Sequence, residues 1–154
     1  MKQYNRAEAE CLAKDSPGNY FRFKLHENPE FKDLARKAAK RLAKKYPYAH
    51  FHHKLHENPE YKDITRKAAE CLAEDYPSSY FDCKLHENSE YKDLARKAAE
   101  SLAENNNPEN NPNDYFDCKL HENSEYKDLT IKAAKKLAEY DLKRFLELGL
   151  HKIP

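Results

Sequence analysis

Lys24-Leu25-His26-Glu27-Asn28 returns as Lys54-Leu55-His56-Glu57-Asn58, again from Lys84 to Asn88, and once more from Lys119 to Asn123. Successive copies start 30, 30 and 35 residues apart, the last interval being lengthened by five residues between Asn105 and Asp114. A fixed period of this size marks a repeat array, in which each unit is one supersecondary element that covers its apolar face with its neighbours.

Between copies of this stretch the pattern is helical. Phe31, Leu34, Ala35, Ala38, Ala39, Leu42, Ala43 and Tyr46 recur at helical spacing. So wide an alanine-rich arc suits a helix with close neighbours on both sides. Asn28-Pro29, Asn58-Pro59, Asn88-Ser89 and Asn123-Ser124 read as starts of these long helices, with Asn as N-cap and Glu in the first turn. Pro47 and Pro77 read as stops. A shorter helix then carries Phe21 with Leu25, Phe51 with Leu55, Phe81 with Leu85 and Phe116 with Leu120, four residues apart. Ser79 with Asp82 reads as its capping box.

The terminal segments extend the array. Glu10-Cys11-Leu12-Ala13 matches Glu70-Cys71-Leu72-Ala73, and Phe145 to His151 fits over Tyr80 to His86. The expectation is therefore one all-α domain over 1–154, a right-handed α-solenoid of five ~30-residue long-helix/short-helix repeats. The units are about 1–28, 29–58, 59–88, 89–123 and 124–154, with a low-complexity loop at 105–114. Tandem helix pairs of this kind resemble the αα-hairpin class that holds tetratricopeptide and Sel1-like repeats. The resemblance covers the whole chain, at the level of paired helices alone.

Of the 154 residues 36% are charged and mean hydropathy is −1.14, yet the ordered recurrence of apolar positions argues for a folded chain. No apolar run approaches the ~20 residues of a membrane span, so no membrane association is expected. Cys11, Cys71, Cys83 and Cys118 occupy two repeat slots that other copies fill with Arg41, Ser101, Phe23 or His53. Such replaceable cysteines point to reduced thiols and a cytoplasmic setting.

Three functional readings follow. No glycine-rich phosphate loop, Gly-x-Ser-x-Gly or His-Glu-x-x-His is present, so the expectation is a non-enzymatic scaffold that binds a protein or peptide. The alternative partner is nucleic acid, read by a stripe of Lys32/Arg36, Lys62/Arg66 and Lys92/Arg96. The third reading is a metal-stabilised module. Cys83 with His86 and Cys118 with His121, each three residues apart, offer two thiolates and two imidazoles, a ligand set that suits zinc. No other cofactor is expected. The histidine of the repeated stretch reads as structural.

Charge is uneven. Unit 29–58 has eight Lys or Arg against three Asp or Glu, a net +5; units 59–88 and 89–123 have four against seven and four against eight, giving −3 and −4. At the ends, Asn5 and Glu8 make the first repeat polar. Leu142, Phe145, Leu146, Leu148 and Leu150 make the last one apolar, so 142–150 either folds back over Ile131 or self-associates with another copy.

Overall fold

A computed structural model describes residues 3–104 and 111–152 of the chain. All regular structure among them is helical. Long and short helices alternate: α1 (Arg6–Asp15), α2 (Pro17–Arg22), α3 (Lys32–Lys45), α4 (Pro47–His52), α5 (Lys62–Asp75), α6 (Pro77–Asp82), α7 (Ala95–Glu104), α8 (Asp114–Asp117), α9 (Lys127–Tyr140) and α10 (Leu142–Glu147). The expected ~30-residue repeat of long and short helices is present, with neighbouring helices packed on one another. Contacts group the chain into two compact units, 1–71 and 72–154.

In unit 1–71, α1 packs on α3, and α2 and α4 pack on α3. In unit 72–154, α7 packs on α9, α6 and α8 pack on α7, and α10 packs on α9. Both cores are built from the slots read in the sequence. Ala38, Ala68 and Ala98 are fully buried, as are Ala39, Ala69 and Ala99. Leu42, Leu72, Leu102 and Leu137 are at most 1% exposed. Tyr46 departs from the stripe at 52% exposed, because the helix has already ended there.

Three local readings need correction. First, the prolines start the short helices rather than only stopping the long ones. Pro17, Pro47 and Pro77 are the first residues of α2, α4 and α6, one residue after the long helix ends. A proline has its φ preset there and no N–H to leave unsatisfied. Ser79 consequently sits inside the first turn, and α6 has no side-chain cap. The capping box lies instead at the N-terminus: the Asn5 side chain accepts from the Glu8 N–H at 2.9 Å, and Glu8 accepts from the Asn5 N–H at 3.0 Å. Asn5 and Glu8, the polar residues of the first repeat, thus close the first turn of α1.

Second, Asn28 and its equivalents cap a turn that precedes the long α-helix: Asn58 and Asn123 are the N-caps of 3₁₀ turns, Pro59–Tyr61 and Ser124–Tyr126, that run directly into α5 and α9. The Asn28 side chain accepts from the Glu30 N–H at 3.0 Å while its carbonyl accepts from Phe31, and Asn58, Asn88 and Asn123 repeat both bonds. Such an Asx-type turn competes with helix. The α-helices therefore start at Lys32, Lys62, Ala95 and Lys127.

Third, the short helix is interrupted between its two apolar anchors. Lys24, Lys54, Lys84 and Lys119 all have left-handed backbones, φ 54–57°. A 3₁₀ turn follows, Leu25–Glu27 in the first copy. Phe21 and Leu25 are both buried, but from either side of a reversal. In the last copy this slot holds Gly149, φ 69°, the residue that adopts this conformation without steric cost. The 105–114 loop reading falls partly outside the described residues, since 105–110 are not described. Beyond them, Asn111 and Asp114 form the turn that leads into α8.

Candidate binding surface

In three copies a buried tyrosine joins the short helix to the turn before the next long one. The Tyr20 hydroxyl donates to the Phe31 carbonyl at 2.7 Å, Tyr80 to Tyr91 at 2.7 Å, and Tyr115 to Tyr126 at 3.2 Å. Burial pushes the Tyr20 and Tyr115 phenols up to about 12, so they remain protonated donors. His50 takes this slot in the second copy. It is fully buried, and its Nε2 lies 2.9 Å from the Thr65 hydroxyl. Thr65 stands where Ala35 and Ala95 pack elsewhere. The shorter imidazole thus has a hydroxyl partner of its own.

The arginine slot is a staple between consecutive long helices. The Arg6 guanidinium forks onto Asp33 at 3.0 and 2.5 Å, and reaches the Glu30 carbonyl at 2.6 Å. Arg36 forks onto Asp63 at 3.0 and 2.9 Å and bonds the Glu60 carbonyl. Arg96 meets Asp128 at 2.7 Å and the Glu125 carbonyl at 3.3 Å. Hydrogen bonds from these arginines, helped by their charge, hold Asp33, Asp63 and Asp128 below the usual carboxylate range. Bonds along their own helices also hold Arg6 to Glu10, Arg66 to Glu70 and Arg96 to Glu100, each at 3.1 Å, whereas Arg36 has Lys40 at that position.

These bonds bear on the basic stripe read in the sequence. Arg36 and Arg96 are exposed but already engaged by carboxylates, and Arg66 is held by Glu70. Lys32 and Lys62 are exposed at the first residues of α3 and α5, and Lys92 lies in the 3₁₀ turn before α7.

The Cys/His pairs do not share a continuous helical face, because the backbone reverses at Lys84 and Lys119 between their members. His86 folds back on Phe81, and His121 on Phe116, with ring centroids 5.2 and 5.4 Å apart. The structural reading of the repeated histidine predicts bonds across the repeat interface; the rings instead pack within their own repeat. The Nδ1 atoms of His26, His56, His86 and His121 are buried without a hydrogen-bond partner. All four cysteines are free. Burial, with nearby aspartates, raises the Cys83 and Cys118 thiols to about 11, which disfavours thiolate. Among the described residues no three His, Cys, Asp or Glu side chains gather as a metal site.

A feature missed from the sequence is the contrast between fixed and variable positions. On α7 and α9 a lysine pairs with a glutamate of the preceding long helix: Lys97 with Glu74, and Lys132 with Glu104 at 2.5 Å. In the second copy the glutamate's slot holds Lys44, and the slot of Glu70 and Glu100 holds Lys40. A groove of about 400 Å³ runs between α3 and α5 there. Arg36, Lys40, Lys44 and Lys67 line it together with the buried Ala43 and Ile64. A second groove of about 420 Å³, with Lys14, Asp15, Arg41, Lys44 and Lys45 in its lining, lies on the other side of α3.

At the last repeat, Phe145 and Leu150 share a cleft of about 310 Å³ with Ile131 and Ala134. Within 142–150, α10 packs on α9. Leu142 and Leu146 nevertheless stay 59% and 51% exposed. Among the described residues no helix is long and apolar enough to cross a membrane. No family model matches the chain, and no curated protein or solved structure matches it.

Proposed function

We propose that the chain is a protein-binding repeat module whose specificity is written in the exposed slots of its long helices. One observation carries this reading. Packing slots are held from copy to copy, whereas the slots of Lys40, Arg41 and Lys44 are filled by Glu10, Cys11 and Lys14, by Glu70, Cys71 and Glu74, or by Glu100, Ser101 and Glu104. A constant scaffold with a variable outer face is how repeat arrays present a ligand surface. The likeness to tetratricopeptide and Sel1-like helix pairs supports the same reading, at the level of architecture alone.

Panning a random peptide display library on the folded protein tests it. Recovered peptides should compete with one another and lose affinity on changes at these exposed slots. A library that returns no binder under low-salt conditions overturns the proposal.

A further inference from the structure

We propose that the cationic groove between α3 and the first part of α5 is a docking site for an acidic peptide segment of a partner protein, one that inserts an apolar side chain between the lysines. This deepens the binding-module reading and rests on it.

The site is defined by a reversal of charge. Where α7 and α9 meet their neighbours, glutamate answers lysine, as Glu74–Lys97 and Glu104–Lys132 show. Between α3 and α5, Lys44 replaces that glutamate and shares the groove with Lys67. Lys40 replaces the glutamate that holds Arg66 and Arg96 in their copies. Asp63 is the one acid lining the groove, and Arg36 occupies both its oxygens. Among the described residues no carboxylate pairs with Lys40, Lys44 or Lys67. Lys44 also borders the second groove, where Lys14, Arg41 and Lys45 outnumber the one acid of its lining, Asp15, so the excess of cations continues over the ridge of α3. Clustered like charges at an unpaired surface repel one another, and an anionic partner relieves that repulsion while speeding encounter.

The groove's base decides the class of anion. Ala43 and Ile64, 5% and 4% exposed, line it together with the lysines, so the groove offers an apolar seat among charged side chains. An acidic peptide supplies both a side chain for the seat and carboxylates for the lysines. A nucleic-acid backbone supplies phosphates alone. A second copy of this chain is also disfavoured, because Glu70, Glu74, Glu100 and Glu104 are already paired within it.

The test uses fluorescence anisotropy on the full chain. The probe is a labelled twelve-residue peptide of glutamates around one central leucine. Controls replace the leucine by serine, or the glutamates by lysine, and a single-stranded oligonucleotide of equal charge is run beside them. The acidic leucine peptide should bind in a salt-sensitive way, more tightly than each control. The double variant K40E/K44E should weaken it at least tenfold. That variant gives the second copy the pairing pattern of its siblings, so it should melt at or above the wild-type temperature, which separates lost binding from lost folding. Tighter binding of the oligonucleotide overturns the proposal in favour of nucleic acid. Self-association seen by light scattering and abolished by K40E/K44E, without peptide binding, overturns it in favour of a second copy. If library-derived peptides bind wild type and K40E/K44E equally, the groove is refuted while the binding module stands; a library with no binders refutes both.

Discussion

Two residues show how one backbone serves unlike side chains. His50 sits fully buried where sibling copies hold tyrosine, and burial lowers it from 6.5 to about 4. Its folded value is the depressed one, so between these values the unfolded chain binds a proton that the folded chain refuses. The contribution is present above pH 6.5 and lost as pH falls towards 4. At about 1.4 kcal/mol per pH unit this amounts to about 3 kcal/mol. His50→Tyr should flatten that part of the pH–stability curve, measured by urea unfolding from pH 7 to pH 4; Tyr115 and Thr130, 3.0 Å apart, show that tyrosine fits opposite threonine. A curve unchanged by the substitution would contradict the buried neutral imidazole. Lys84 poses the complementary case. A left-handed conformation costs an L residue ~1–2 kcal/mol, and glycine gives back ~0.5–1 kcal/mol in chain entropy. Lys84→Gly should therefore stabilise by about 0.5–1 kcal/mol. Gly149→Ala should cost about 1 kcal/mol through the backbone alone, since nothing lies within 4 Å of an added Cβ.

At the scale of the element, the long helices were legible because their apolar slots recur at helical spacing and burial depends only on facing. Leu102, 1% exposed in α7, is one such slot, and Leu102→Ala should cost ~2–5 kcal/mol in chemical denaturation. What periodicity could not show was where helices begin. Asn28 reads as the N-cap of the long helix, but the turn that it opens ends at Phe31, and periodicity does not show where α-helix takes over from that turn. The reversal at Lys24 hid because lysine is a good helix former; Gly149 in the same slot was the one sequence signal for it. The arginine slot reads as a basic stripe because a helix viewed singly shows only its own neighbours. Its partner was nevertheless present in the repeat, since Asp33, Asp63 and Asp128 recur as regularly as Arg6, Arg36 and Arg96. The spacing of Cys83 with His86 and of Cys118 with His121 puts each pair on one face only in an unbroken helix, and a left-handed residue stands inside each pair.

Over the whole molecule, a net charge of +1 conceals two different electrostatic regimes. In unit 72–154 the long helices are linked by opposite charges, Glu74–Lys97, Glu104–Lys132 and Arg96–Asp128. All are about half exposed, so mobile ions screen them readily. In unit 1–71 the Arg6–Asp33 and Arg36–Asp63 staples are likewise attractive. They act against Lys40, Lys44 and Lys67 around one groove, and against Lys14, Arg41 and Lys45 on the far side of α3. Screening weakens attraction in one unit and chiefly relieves repulsion in the other. Raising salt from ~10 mM, where the Debye length is ~30 Å, to ~1 M, where it is ~3 Å, should therefore slow amide exchange in α3 and speed it in α7 and α9. Hydrogen-exchange mass spectrometry reads the two units separately in one sample. Lys44→Glu supplies the internal control: by giving Lys67 the partner that Lys97 and Lys132 have, it should turn the salt response of α3 to the sign seen in α7. If α3 and α7 respond alike in the wild-type chain, lysine crowding around α3 is not a significant energetic term, and its cations are solvated singly.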